Sequence, residues 1–127
     1  MNESKLDYAH GTGHGVGFFL NVHEGPQSIS KLSKVKIQEG MILSNEPGYY
    51  KKGSYGIRIE NLVFVKKVKN KINFENLTLA PIEKDLVNFN LLTKSEKDYL
   101  FKYHLDVYSK LSKYLSPNER KWLATYI

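Results

Sequence analysis

Three of the four histidines, His10, His14 and His23, fall within fourteen positions of a glycine-rich stretch. Two glutamates, Glu46 and Glu60, follow on apolar segments, with Arg58 two residues before the second. Imidazole nitrogen and carboxylate oxygen together suit a divalent ion such as Mn, Co, Fe or Zn, and two ions can share a carboxylate. A carboxylate buried without a partner is costly unless it gives up its charge, so Glu46 and Glu60 need balancing. Two solutions are open: an ion pair with Arg58, or a metal centre built on His14, Glu46 and Glu60. The spacings are long and no compact zinc motif such as HExxH occurs, so residue types alone leave both open.

The elements that position these groups can be read from their patterns. Gly11, Gly13, Gly15 and Gly17 occupy alternate positions, which would place His10, Thr12, His14, Val16 and Phe18 on one face of an extended segment. A helix would carry these glycines at about 1 kcal/mol each, whereas in an extended chain the missing side chains admit close approach by a neighbour. Residues 40–46, Gly-Met-Ile-Leu-Ser-Asn-Glu, read as a buried strand ended by a turn at Pro47-Gly48, with Glu46 biased to extended geometry by the proline. Residues 56–65 read as one strand rich in β-branched residues, with Arg58 and Glu60 on the face of Leu62 and Phe64. Lys66, Lys67, Lys69 and Lys71 alternate with Val68 and Asn70 as exposed strand ends around a turn do, and 77–82 suggests a further short extended stretch.

From about Asn90 the period becomes helical. Thr93 with Glu96 forms a capping box ahead of Leu100, Tyr103, Val107, Leu111, Tyr114 and Leu115. Ser116, Pro117 and Glu119 start a second helix carrying Trp122, Leu123 and Tyr126. His104 is expected at the edge of this packing. The stripe is expected to serve packing or self-association, with Trp122→Ala costing about 3 kcal/mol if the ring is buried.

Composition removes several classes of function. The 127 residues fit one domain, and the absence of cysteine excludes disulfides, thiolate metal sites and a cysteine nucleophile. No apolar run reaches the ~20 residues that span a bilayer, and the first residues lack the apolar stretch of a signal peptide, so the expected location is cytoplasmic, with no membrane partner. The formal glycosylation triplets at Asn2 and Asn76 therefore carry no weight. The net charge of +6 raises nucleic acid as a partner. However, residues 66–127 hold 12 basic and 7 acidic side chains, and no aromatic interleaves with the lysines at the turn, so nucleic-acid binding is the least favoured reading.

HGTGHGVG at 10–17, LNVHEGP at 20–26, EPGYY at 46–50, GIRIENLV at 56–63 and LTLAPI at 77–82 together resemble the Xaa-Pro aminopeptidases, the aminopeptidase P group of the pita-bread metallopeptidases. The likeness covers nearly the whole chain, and the helical tail resembles the carboxy-terminal extension of the large three-domain type. It implies an α+β fold: residues 1–70 as the carboxy-terminal portion of the pita-bread catalytic domain, with antiparallel strands, and residues 71–127 as a carboxy-terminal extension with two helices. It further implies metal ligation by His14, Glu46 and Glu60, with Glu60 bridging two divalent ions, Mn2+ first and Co2+ or Zn2+ as alternatives. Glu46 would take the proton of the attacking water, His10 and His23 would line the substrate site, with His23 stabilising the developing tetrahedral centre, and Arg58 would hold the carboxylates in place. The substrates implied are peptides with proline at the second position.

The family pattern departs in one respect. Two aspartate ligands on strands ahead of the histidine motif have no counterpart here, and Asp7, Asp85, Asp98 and Asp106 do not match their pattern. Two divalent ions bring four positive charges against two from Glu46 and Glu60. The chain is therefore expected to be the carboxy-terminal fragment of an enzyme, a split-gene or truncated product, inactive alone and completed by a separate chain carrying the upstream catalytic half. Its exposed sheet edge would favour association, including a homodimer. The alternative is a non-catalytic pita-bread binding module.

Overall fold

A computed structural model describes residues 7–19 and 21–127. The Asn2 triplet and Leu20 of the LNVHEGP motif lie outside them. The described residues form two compact units, one ending at Thr78 and one running from Leu79 to Ile127.

The first unit is built from antiparallel strands. Strands β1 (Gly13–His14) and β2 (Ser28–Ile29) pair with each other. β3 (Ile42–Asn45) pairs with β6 (Asn61–Val68), which pairs in turn with β7 (Lys71–Asn76); β4 (Gly48–Lys51) pairs with β5 (Tyr55–Arg58). The lysine-rich turn between β6 and β7 takes two residues, Lys69 and Asn70, both at positive φ (47° and 64°), the backbone that matches the twist of a tight hairpin. Alternation along β6 turns Val63 and Val65 inward against Leu43, and Ile29, Ile37 and Met41 close over this core.

The glycine-rich segment is extended only briefly. Gly15 bridges to Leu43 and takes a hydrogen bond from Glu24 N–H while its own N–H reaches Gln27 O, so the chain is gripped from both sides. A Cβ on Gly13 would overlap the Ser44 carbonyl, and one on Gly15 the Glu24 carbonyl, so the absent side chains do admit close backbone approach. Residues 56–65 are not one strand. β5 ends at Arg58, Ile59 N–H turns to Pro47 O at 3.3 Å, and β6 starts at Asn61 in a different sheet. The inward face of β6 therefore belongs to Val63 and Val65, and Arg58 and Glu60 do not point at an apolar side. Their side chains are 50% and 41% exposed.

In the second unit, α1 (Lys94–Leu111) and α2 (Pro117–Ala124) begin at complete capping boxes, Thr93 with Glu96 and Ser116 with Glu119. Tyr103, Val107 and Leu123 form the core, with Leu79, Ile82, Leu111 and Leu115 packed against it. Residues 77–82 form no strand. They run as irregular chain satisfied by side chains: Tyr103 Oη donates to Ala80 O at 2.7 Å, and Ile82 N–H donates to His104 Nε2 at 3.0 Å. His104 is thus buried as a backbone acceptor rather than placed at an edge, because Ile82 N–H needs a partner inside the packing. Trp122 and Tyr114 are mostly exposed, so packing among the described residues of the helical unit does not bury the Trp122 ring. No helix among the described residues is long and apolar enough to cross a membrane.

Candidate functional site

Glu46 follows directly on β3, and its N–H donates to Thr12 O at 2.7 Å, which ties it to the histidine segment. Its side chain is 14% exposed, and Oε1 stands 3.2 Å from His14 Nε2. His14 Nδ1 lies 2.9 Å from Gly15 O. A carbonyl only accepts, so Nδ1 carries the hydrogen and a neutral His14 turns the bare lone pair of Nε2 toward the Glu46 carboxylate. Two acceptors facing each other at this distance leave room for a cation or a proton.

Arg58, at the end of β5, sits between the two carboxylates. Its Nε is 3.2 Å from Glu60 Oε2 and 4.0 Å from Glu46 Oε2. Hydrogen bonding to Tyr50, and after it the Glu60 charge, raises the Arg58 pKa above its ordinary value, so the guanidinium stays charged. The Tyr50 hydroxyl is 2.8 Å from His10 Nε2. With His10 Nδ1 engaged by Gly11 O at 2.7 Å, the neutral ring accepts at Nε2 and the phenol donates. His23 stacks on His14 with ring centroids 3.9 Å apart and 26° between planes. His10 also lines an open cleft of about 610 Å³ with Tyr8, Thr12, Ile29, Lys31 and Leu32.

Three of the sequence-predicted groups are therefore drawn together around Glu46: His14 directly, His23 by stacking on His14, and Arg58 at longer range. Glu60 joins through Arg58, and His10 through Tyr50. No group of three His, Asp or Glu side chains converges as a metal site among the described residues. His14 and Glu46 nevertheless fit two neighbouring positions on one divalent ion: donors at ~2.1 Å set at right angles stand about 3.0 Å apart, close to the separation seen, and the tautomer is the right one.

Two residues escaped the sequence reading. Ser44, fully buried, accepts from His14 N–H at 3.0 Å and donates to Glu46 Oε1 at 2.9 Å. The only signal was its position two residues before Glu46. Tyr50 belonged to a quoted motif, but its role depends on lying opposite Gly56 in the β4–β5 ladder, which no local pattern shows.

Residues 1–67 match metallopeptidase family M24, and residues 70–127 match the C-terminal region of peptidase M24. The chain belongs to metallopeptidase family M24, whose catalytic fold is the pita-bread fold. A probable Xaa-Pro aminopeptidase P of Botryotinia fuckeliana is 46% identical over 134 residues, covering 95% of this chain and 20% of the relative. One of Pyrenophora tritici-repentis is 50% identical over 120 residues, covering 86% of this chain and 20% of the relative. An X-prolyl aminopeptidase from Caenorhabditis elegans, described as a cytosolic enzyme with a di-nuclear active site, superposes with a TM-score of 0.86 at 39% identity, over 98% of this chain and 22% of that one. The Xaa-Pro dipeptidase from Bacillus anthracis is similar over 65% of this chain and 22% of its own, with a TM-score of 0.52 at 33% identity. The chain spans about a fifth of the length of the curated relatives it matches.

Proposed function

We propose that this chain is the carboxy-terminal part of an Xaa-Pro aminopeptidase, a cytoplasmic dinuclear metal hydrolase that removes an amino-terminal residue preceding proline. Residues 1–70 would supply part of the catalytic domain and 71–127 an extension. The observation that carries the reading is the facing of His14 Nε2 and Glu46 Oε1 at 3.2 Å, with Nδ1–H committed to Gly15 O.

In this reading His14, Glu46 and Glu60 would hold two divalent ions, Mn2+ first, and further polypeptide would complete the shell. When bound, the ions supply Lewis acidity and lower the pKa of water. Glu46 accepts the proton of the attacking water, with Oε2 as the oxygen turned away from His14. His23, held parallel to His14 by stacking, donates a hydrogen bond to the oxygen that gains charge as the scissile carbonyl becomes tetrahedral. Arg58 fixes Glu60 through its 3.2 Å ion pair, and Tyr50 steadies both Arg58 and His10. His10 then forms one wall of the peptide cleft.

A second reading, a non-catalytic module on the same scaffold, is favoured by two observations: Arg58 already partners Glu60, and no third ligand converges among the described residues. Release of the first residue from an Xaa-Pro peptide separates the two. The chain alone should show negligible turnover; adding polypeptide that carries two carboxylate-bearing strands should produce turnover that disappears in Glu46→Gln. Turnover by the chain alone that survives Glu46→Gln would refute the site, and none after complementation would favour the module.

A further inference from the structure

Ser44 and His104 are buried among the described residues, Ser44 with two hydrogen bonds at its hydroxyl and His104 with one at Nε2. His104 serves a main-chain N–H within the helical unit, whereas Ser44 joins two groups of the candidate site. We propose that Ser44 is a positioning residue for the metal centre, holding Glu46 in the rotamer that faces His14 and withholding it from Arg58. This inference rests on the ligand roles proposed for His14 and Glu46.

A hydroxyl sealed from water is tolerated when it both accepts and donates. Ser44 Oγ does both, accepting from His14 N–H at 3.0 Å and donating to Glu46 Oε1 at 2.9 Å. One hydroxyl therefore sets the position of β1 over β3 and the torsion of the Glu46 carboxylate together. That position is possible only because Gly13 carries no side chain, since a Cβ there would overlap the Ser44 carbonyl.

Next, the bond to Ser44 occupies one lone-pair direction of Oε1 and leaves the other toward His14 Nε2, 3.2 Å away. Finally, a competitor stands close by. Arg58 Nε is 4.0 Å from Glu46 Oε2 and already 3.2 Å from Glu60 Oε2, and a guanidinium fork readily takes a carboxylate through two parallel bonds. Without the charge-assisted bond from Ser44, rotation of Glu46 toward Arg58 would exchange a metal ligand for a closed ion pair.

The test uses the 127-residue chain and Co2+ as probe, followed by its visible absorption, together with amide hydrogen exchange of the metal-free chain. Ser44→Ala should weaken Co2+ binding by about 10–100-fold, with rapid exchange at the His14 amide and retained protection at Val65, whose N–H donates to Met41 O in the core. Ser44→Thr, which keeps the hydroxyl, should restore both properties to within about threefold of wild type. Unchanged Co2+ affinity in Ser44→Ala, or native protection of the His14 amide, would overturn the role of Ser44 while leaving the ligand assignment standing. If the threonine methyl disturbs the core, seen as lost protection at Val65, the His14 amide in Ser44→Ala decides alone. Failure of the wild-type chain to take up Co2+ even with added polypeptide carrying two carboxylate-bearing strands would overturn the ligand assignment, and the Ser44 inference with it.

Discussion

Tyr50 lies across Gly56, its partner in the β4–β5 ladder, so closely that a carbon added to Gly56 would stand 2.7 Å from Cδ1 of the ring. The same ring passes over Gly48, where an added carbon would meet the phenol oxygen at 2.6 Å. Two glycines on one face of a hairpin thus make a shelf that lays the phenol flat and carries its hydroxyl to His10. Gly56→Ala should lift the ring, break the Tyr50–His10 bond and cost about 1–3 kcal/mol, as overpacking does. Urea denaturation measures the cost and the His10 ring resonances report the broken bond; unchanged resonances would contradict the shelf.

The helical unit gives a second prediction through two neighbouring residues. Leu123 is 3% exposed and Trp122 is 56% exposed. Leu123→Ala should destabilise the unit by about 2–5 kcal/mol, whereas Trp122→Ala should stay within about 0.5 kcal/mol in the isolated chain. Thermal melts followed at 222 nm separate the two, and an equal loss would mean that Trp122 is buried by association.

Acid should loosen the same unit in a defined direction. Bonds from the Thr93 hydroxyl and N–H lower the Glu96 pKa, and bonds from Ser116 do the same for Glu119. A folded-state pKa below the unfolded one means the folded form binds fewer protons. The stabilisation is therefore present above the unfolded glutamate value of about 4.3 and is lost as pH falls through the lowered folded values. Melting temperature should drop less between pH 5 and pH 3 in the Glu96→Gln/Glu119→Gln variant than in wild type, since amide caps do not titrate; identical pH profiles would show that the caps do not contribute.

His104 supplies a fourth prediction. Its Nε2 is the acceptor for Ile82 N–H, so His104→Leu should strand a buried donor at about 1–3 kcal/mol. Hydrogen exchange at Ile82 reads this directly: fast exchange is expected in the variant, and retained protection would refute the bond.

What the sequence disclosed was local. Capping boxes need only residues three apart, and the Lys69-Asn70 turn needs only its two residues, so both helix starts and the hairpin tip were legible. The glycines of residues 11–17 announced close approach without saying by what; the answer, the carbonyls of Ser44 and Glu24, comes from pairing across the fold. The break at Ile59 was hidden because Pro47, twelve residues earlier, supplies its acceptor. The burial of His104 was hidden because an irregular segment some twenty residues earlier supplies its donor. In the candidate site the histidines and glutamates stood out by type, while Ser44 and Tyr50 did not, since a serine or tyrosine gains meaning only from what it touches.

In the proposed function His14 and Glu46 form one edge of a metal site that further polypeptide completes. Calorimetric titration with Mn2+ tests it most directly, first with the chain alone and then with added polypeptide carrying two carboxylate-bearing strands. Weak binding that tightens at least tenfold on addition, and is lost in both His14→Ala and Glu60→Gln, is the predicted result. Binding that is indifferent to the added strands, or that persists unchanged in His14→Ala, would contradict it.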